Sequence, residues 1–197
     1  MVIRPGEPWG ETGTPPPSAP TVRNEAALGD LWERGGREAV LQSGTLRSVT
    51  GSAEGPNRVC APVDVVVVEW TGPDGPVRRP LFGSMAVCSA PLGVRLDAIV
   101  TNSGFWRGRR AVPAAHPNDG ILDVLELSRD MAVAQRWLAW RRSARLDHLP
   151  HPGLTVHRGR DWTWSGGPCA VWIDGRRGGR AHRLTCSVIP DAMRIWL

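Results

Sequence analysis

Side chains able to do chemistry concentrate in residues 98–127, AIVTNSGFWRGRRAVPAAHPNDGILDVLEL. An apolar run (AIVTN) leads into a Gly/Arg-rich loop, an acidic turn (HPNDG) and a second apolar run (ILDVLEL), so polar groups collect between two buried elements, as in many binding sites. Arg107, Arg109 and Arg110 could clamp a phosphate or lipid headgroup, because a guanidinium binds phosphate through two parallel N–H bonds. The alternative is a solvated loop in an arginine-rich chain. Asp119 in HPNDG and Asp174 in IDGRRGG each precede a glycine, so each is either a carboxylate available for chemistry or part of a structural Asp-Gly turn. Asp123 falls on the expected solvent side of an alternating strand. His116, His148 and His151 are spread over turns and form no metal-ligand spacing of their own.

Two strands, 94–102 and 121–127, must flank that stretch, and they are expected to pair or to be neighbours. A helix is predicted over 131–145, capped by Ser128 or Asp130, with Met131, Ala134, Trp137, Leu138 and Arg141 at helical spacing and arginines on the other face. Its tryptophans, Trp137 and Trp140, read as packing residues, or else as part of a basic helix lying on an anionic membrane surface. Residues 1–20 hold six prolines and read as a flexible or extended arm, on which Trp9 could dock. A short helix is predicted over 24–34, with Asn24 as its cap and Gly35-Gly36 as its stop. VDVVVVEW (63–70) is a strand, and TGPDGP (71–76) turns it into a return strand around 81–88. Because no helix follows GPDG, a plain turn is preferred to a phosphate loop. Beyond HLPHPG (148–153), strands are expected at LTVHR, DWTWS, CAVWID, RLTCSVIP and AMRIWL. The fold class is therefore mainly β (α+β): a β-sandwich-like, two-sheet domain with two short helices, spanning 21–197 as a single unit after the arm.

Composition narrows the function. All 24 basic residues are arginine, and neither lysine nor tyrosine occurs, which excludes a lysine Schiff base, a phosphate-loop lysine and a phenolic acid or base. The net charge of +5 is carried by scattered arginines, so nucleic acid is not the favoured partner. Cys60, Cys88, Cys169 and Cys186 form no CxxC pair, and no metal or disulfide is assigned to them. No signal-like or membrane-spanning apolar run is present, so the cytoplasm, with peripheral contact to a membrane, is the expected location.

The order of Asn102, Gly108, Pro113, HPNDGILDV (116–124), HPGLTV (151–156), VWIDGRRGG (171–179) and VIPDAMRIWL (188–197) resembles the C-terminal domain of bacterial diacylglycerol kinases and related lipid kinases. The match covers residues 98–197. The resemblance implies a β-sandwich like that of NAD kinases, set against a nucleotide-binding domain, with ATP in the cleft between them. It further implies that Asp119 gives a side-chain ligand and Ile121 a carbonyl to magnesium, and that Asp174 assists deprotonation of the lipid hydroxyl. Oxygen donors at a turn suit a hard divalent ion, and a carboxylate suits the acceptor proton in phosphoryl transfer. His116 stands where the family usually has an acid or amide, and imidazole suits magnesium poorly. The family's Gly-Gly-Asp-Gly-Thr phosphate loop has no counterpart here. The expected function is thus a lipid-kinase-like C-terminal domain acting as a non-catalytic lipid- or partner-binding module. The alternative is the acceptor-side half of a split ATP-dependent lipid kinase, completed by a separate nucleotide-binding chain. A structural β module contacting protein or nucleic acid through a sheet edge or the basic loop, and a homo-oligomer, are also compatible with these residues.

Overall fold

The structure is a computed structural model describing residues 10–50, 58–89 and 95–197. Its first part holds β1 (Glu11–Gly13), β2 (Thr21–Val22), α1 (Glu25–Glu33), β3 (Glu38–Leu41), α2 (Thr45–Thr50), β4 (Arg58–Gly72), β5 (Gly75–Leu81) and β6 (Ser84–Ser89). There follow β7 (Arg95–Thr101), the ribbon strands β8 (Phe105–Trp106) and β9 (Arg109–Arg110), β10 (Leu122–Leu127) and α3 (Val133–Arg142), which runs into a 3₁₀ turn at Ser143–Arg145. The chain continues through β11 (Leu154–Gly159), β12 (Asp161–Trp164), β13 (Cys169–Ile173), β14 (Arg176–Ala181) and β15 (Leu184–Trp196).

One sheet is built on β4 and β15, which pair antiparallel along their length. β1 and β5 share the outer side of β4, β12 and β3 share the outer side of β15, and β2 lies beyond β3. The other sheet runs β11-β10-β7-β6-β13-β14. The run VDVVVVEW is continuously apolar because both faces of β4 are covered. Val66, Val68 and Trp70 pack between the sheets with Val87, Val100, Val124 and Val171. Val63, Val65 and Val67 face the opposite way, against Leu28 of α1, Leu46 of α2 and Phe82. Each such buried valine contributes about 1.5–2 kcal/mol relative to an exposed one. A third apolar layer lies on the outer face of the second sheet, where Ile99, Leu125 and Leu154 meet Met131 and Ala139.

The two-sheet, mainly β architecture and the flanking pair are as expected: β7 and β10 are antiparallel neighbours, with Asp123 opposite Thr101. Asn24 caps α1 by accepting the Ala27 N–H at 3.1 Å. Part of the expected arm is extended, since Glu11–Gly13 pairs with residues 58–60; Trp9 lies outside the described residues.

Four local expectations change. Three short helices form rather than two, α2 being the addition. The return strand comes directly after the turn, as β5, and the chain then crosses at Phe82 and Gly83 into the other sheet. Glycine suits that corner because a Cβ on Gly83 would stand 2.9 Å from an Asp174 carboxylate oxygen. RRGGRA forms β14, while RLTCSVIP and AMRIWL join as one bulged strand, β15. Finally, α3 is rotated relative to its predicted face and is capped at Ala132, not at Ser128 or Asp130. Arg136 sets the rotation by reaching inward to the carbonyls of Leu96, Ser128 and Met131. Ala139 is thereby buried while Trp137 and Leu138 are exposed.

Candidate functional site

Asp174 and Gly175 form the two-residue turn between β13 and β14, with φ of 46° and 80°. Positive φ at both central residues is the geometry of a type I′ hairpin, which Asp-Gly favours. The Asp174 carboxylate turns back onto the sheet-switching corner and accepts the N–H groups of Phe82, Gly83 and Ser84 at 3.0, 2.9 and 2.9 Å. Burial pushes its pKa up to about 7, against the lowering effect of those bonds. The carboxylate is thus engaged as a clamp on backbone.

The acidic turn lies at the same end of the sheet. Asp123 is opposite Thr101, Thr101 is opposite Ser84, and the Asp174 N–H bonds to the Ser84 carbonyl at 2.9 Å, so these residues form one row. Three strand spacings, about 14 Å, separate its ends. Within the turn, Asp119 Oδ1 accepts its own Ile121 N–H at 3.0 Å, and its Oδ2 pairs with Arg158 Nη2 at 2.9 Å. The same guanidinium donates from Nε to Asp123 Oδ1 at 2.7 Å. Asp123 is fully buried rather than solvent-facing, and burial lifts its pKa to about 6. His116 Nδ1 accepts the Asn118 N–H at 3.2 Å, and burial lowers the pKa of its ring.

Arg158 therefore supplies the positive charge between Asp119 and Asp123. Among the described residues, no group of three or more His, Cys, Asp or Glu is arranged to hold a metal ion. Arg158 thus occupies the Asp119 oxygen Oδ2, on the carboxylate that the family resemblance would give to magnesium. Neither added magnesium nor a chelator should shift the melting temperature, as differential scanning fluorimetry would read; a rise with magnesium would restore the ion.

Asp64, which sequence reasoning passed over, anchors this turn. It interrupts an apolar run, and its buried carboxylate accepts the N–H groups of Gly120 at 2.8 Å and Asp191 at 2.9 Å. Burial raises its pKa to about 6. An acid inside a valine run was the available signal.

The three loop arginines separate. Arg109 donates to the Trp140 carbonyl at 2.7 Å, near the end of α3, and stacks on its ring. Arg110 lies over Phe105. Arg107, at the exposed tip of the ribbon with φ of 47°, stacks on Trp106 and lines a cavity.

That cavity, about 250 Å³, lies between the outer face of the second sheet and α3. Its walls are apolar: Leu96, Ile99 and Leu125 from the sheet, Ala139 and Trp140 from α3, and Trp106, whose ring meets Trp140 edge-on at 5.0 Å. His148 also lines it and is 3% exposed. Its Nε2 stands 2.8 Å from the Ala111 carbonyl, which can only accept, so Nε2 carries the hydrogen. Its Nδ1 is buried and makes no hydrogen bond. Periodicity could not reveal this site, which brings together the ribbon, α3 and the proline-punctuated loop after it.

The fold defines an α+β protein of two packed sheets, of the kind found in diacylglycerol kinase structures. A structure described as a diacylglycerol kinase from Bacillus anthracis str. Sterne matches with a TM-score of 0.56 at 9% identity, over 80% of this chain and 69% of that one. Two further structures so described, from the same organism, are 10% identical over 69% of this chain, with TM-scores of 0.49 and 0.42. This chain spans 57% and 53% of their lengths. No family model and no curated protein sequence matches the chain. At such identity the likeness is one of fold.

Proposed function

We propose that this chain is a lipid-kinase-like domain acting as a non-catalytic lipid-binding module, with the cavity beneath α3 receiving the apolar end of an amphiphile. The largely apolar lining of the cavity, with Arg107 at its rim, carries this reading. Arg107 at the rim suits an anionic head. Apolar cavities of about 150 Å³ already admit benzene, whereas complete small-molecule sites begin near 300 Å³. At about 250 Å³ this one fits a single chain end.

Ala139 lines the cavity, so Ala139→Leu should fill it. Binding of dansyl-undecanoic acid, read by fluorescence, should weaken at least tenfold by steric exclusion, while stability rises by about 1 kcal/mol. Unchanged probe binding in both Ala139→Leu and His148→Phe would refute the assignment.

A second reading, the acceptor-side half of a split kinase using magnesium and ATP with a nucleotide-binding partner chain, is supported by the row that joins Asp123, just after the 116–121 turn, to Asp174. It requires the Asp174 carboxylate to leave its three N–H partners. Asp174→Asn would abolish phosphorylation of dioctanoylglycerol by a reconstituted pair under this reading, and would leave the module's probe binding intact under the first.

A further inference from the structure

The helix that roofs the cavity carries an unusual outer surface. Arg136, Ala139 and Trp140 turn inward, which leaves Val133, Trp137 and Leu138 exposed at 83%, 57% and 42%. Leu146, just past the 3₁₀ turn, is 45% exposed. Trp137 is an amphipathic side chain with a large apolar area, more than half of it exposed.

The charges around this apolar face are mostly positive. α3 itself contains no acid, and residues 129–147 hold five arginines against two aspartates, Asp130 and Asp147, one at either end. The Arg141 guanidinium lies 4.8 Å from the Trp137 ring centroid, beside exposed Arg142 and Arg145. Among the described residues, no salt bridge to any of the three is formed. Helices that lie in a membrane interface combine this composition: tryptophan, leucine and valine entering the headgroup boundary, and arginines whose stems stay with the apolar residues while their heads reach anionic phosphates.

We propose that the outward face of α3, centred on Val133, Trp137 and Leu138 and flanked by Arg141, Arg142 and Arg145, docks on an anionic lipid bilayer. Charge complementarity selects the bilayer as occupant, because three unpaired arginines beside a tryptophan match a negatively charged apolar interface. Docking there would set the roof of the cavity against the membrane. The surface thus deepens the lipid-binding reading and rests on it for its purpose, though not for its test.

The test is co-sedimentation of the intact chain with vesicles of phosphatidylcholine alone and of phosphatidylcholine mixed with phosphatidylglycerol. Binding is expected only to the mixed vesicles, and added salt should weaken it. The triple change Val133→Ser, Trp137→Ser and Leu138→Ser should weaken it at least tenfold with the melting temperature unchanged, since exposed substitutions are nearly neutral for folding. Replacing Arg141, Arg142 and Arg145 by glutamine should weaken it roughly a hundredfold, at about fivefold per arginine near the surface. Equal binding to neutral vesicles, or full retention in either variant, overturns the proposal. So does a self-associating species that is lost in the triple variant while no vesicle is bound. Ala139→Leu separates the two readings: it should leave vesicle binding intact while weakening probe binding at least tenfold. Vesicle binding without probe binding in the unaltered chain would therefore remove the cavity reading and keep the surface.

Discussion

Replacing Asp174 by alanine is expected to destabilise the fold by about 4 kcal/mol, measured by urea denaturation. Hydrogen bonds to a charged acceptor are worth about 1.5–3 kcal/mol each, and three N–H groups of the Phe82–Ser84 corner lose theirs at once. Because burial holds this carboxyl partly protonated near pH 7, the loss stays below the full sum for a charged acceptor. Asp174→Asn retains one acceptor but turns an NH₂ group towards an N–H donor, and about 2 kcal/mol is expected. The pH dependence gives an independent check. Burial raises the folded pKa of Asp174 to about 7, above the ordinary 3.8. Its protonated form is therefore the one that folding favours: the contribution is fully present below pH 3.8 and is lost as pH rises through 7. The unaltered chain should gain stability when pH falls from 8 to 5, and Asp174→Asn should lose part of that slope. Unchanged stability in Asp174→Ala would contradict a clamp and return this carboxylate to the chemistry that the family resemblance implies for it.

Arg158→Ala is expected to cost about 3 kcal/mol. Asp123 is fully buried, its Oδ2 has no partner, and Arg158 Nε at 2.7 Å is the cation its Oδ1 meets. Removing one member of a buried pair typically costs 3–5 kcal/mol because the other charge is stranded, and the partial exposure of Arg158 places this case at the lower end. The loss should be strongly pH-dependent. Asp123 already titrates near 6, and Arg158 lowers that value, so the variant's folded pKa rises further. Protonation then rescues it: the deficit should be largest at pH 8 and mostly recovered at pH 5. A double variant that also carries Asp123→Asn should be more stable at pH 8 than Arg158→Ala alone, because the stranded charge is gone. If instead magnesium rescued Arg158→Ala, the guanidinium would be standing in a cation site that an ion can also fill.

Much of this architecture was legible wherever local chemistry decides the outcome. Asn24 has the short oxygen-bearing side chain that a helix start needs, and α1 begins behind it. The two apolar runs around HPNDG read as strands, and they pair. Where distant residues decide, the sequence was mute. The rotation of α3 depends on three carbonyls that Arg136 finds across the fold, so its apolar spacing pointed to the wrong face. Asp123 looked solvent-facing because alternation marks the second face of a strand without saying what covers it; here the cover is Arg158, from β11. RRGGRA carries no strand preference, and it is held as β14 by pairing with β13 across the Asp174 turn. The candidate site followed the same division. The 116–121 and Asp174 turns were legible as turns and share a sheet end, whereas the cavity with His148 exists only once α3 is laid over the sheet.

The parallel pairing of β3 with β15, which sets Glu38 to Val40 beside Arg194 to Trp196, also orders events in time. When residues 38–40 leave the ribosome, the strand they will lie against has not been made, and β4 likewise waits for its longest partner. Contacts so distant in sequence close late and slowly. Sheet two, whose β6, β7 and β10 are close in sequence, is positioned to form first. Until synthesis reaches residue 196, the valines of β4 must be kept from neighbouring chains, and this nascent intermediate is the species most exposed to aggregation and to chaperone capture.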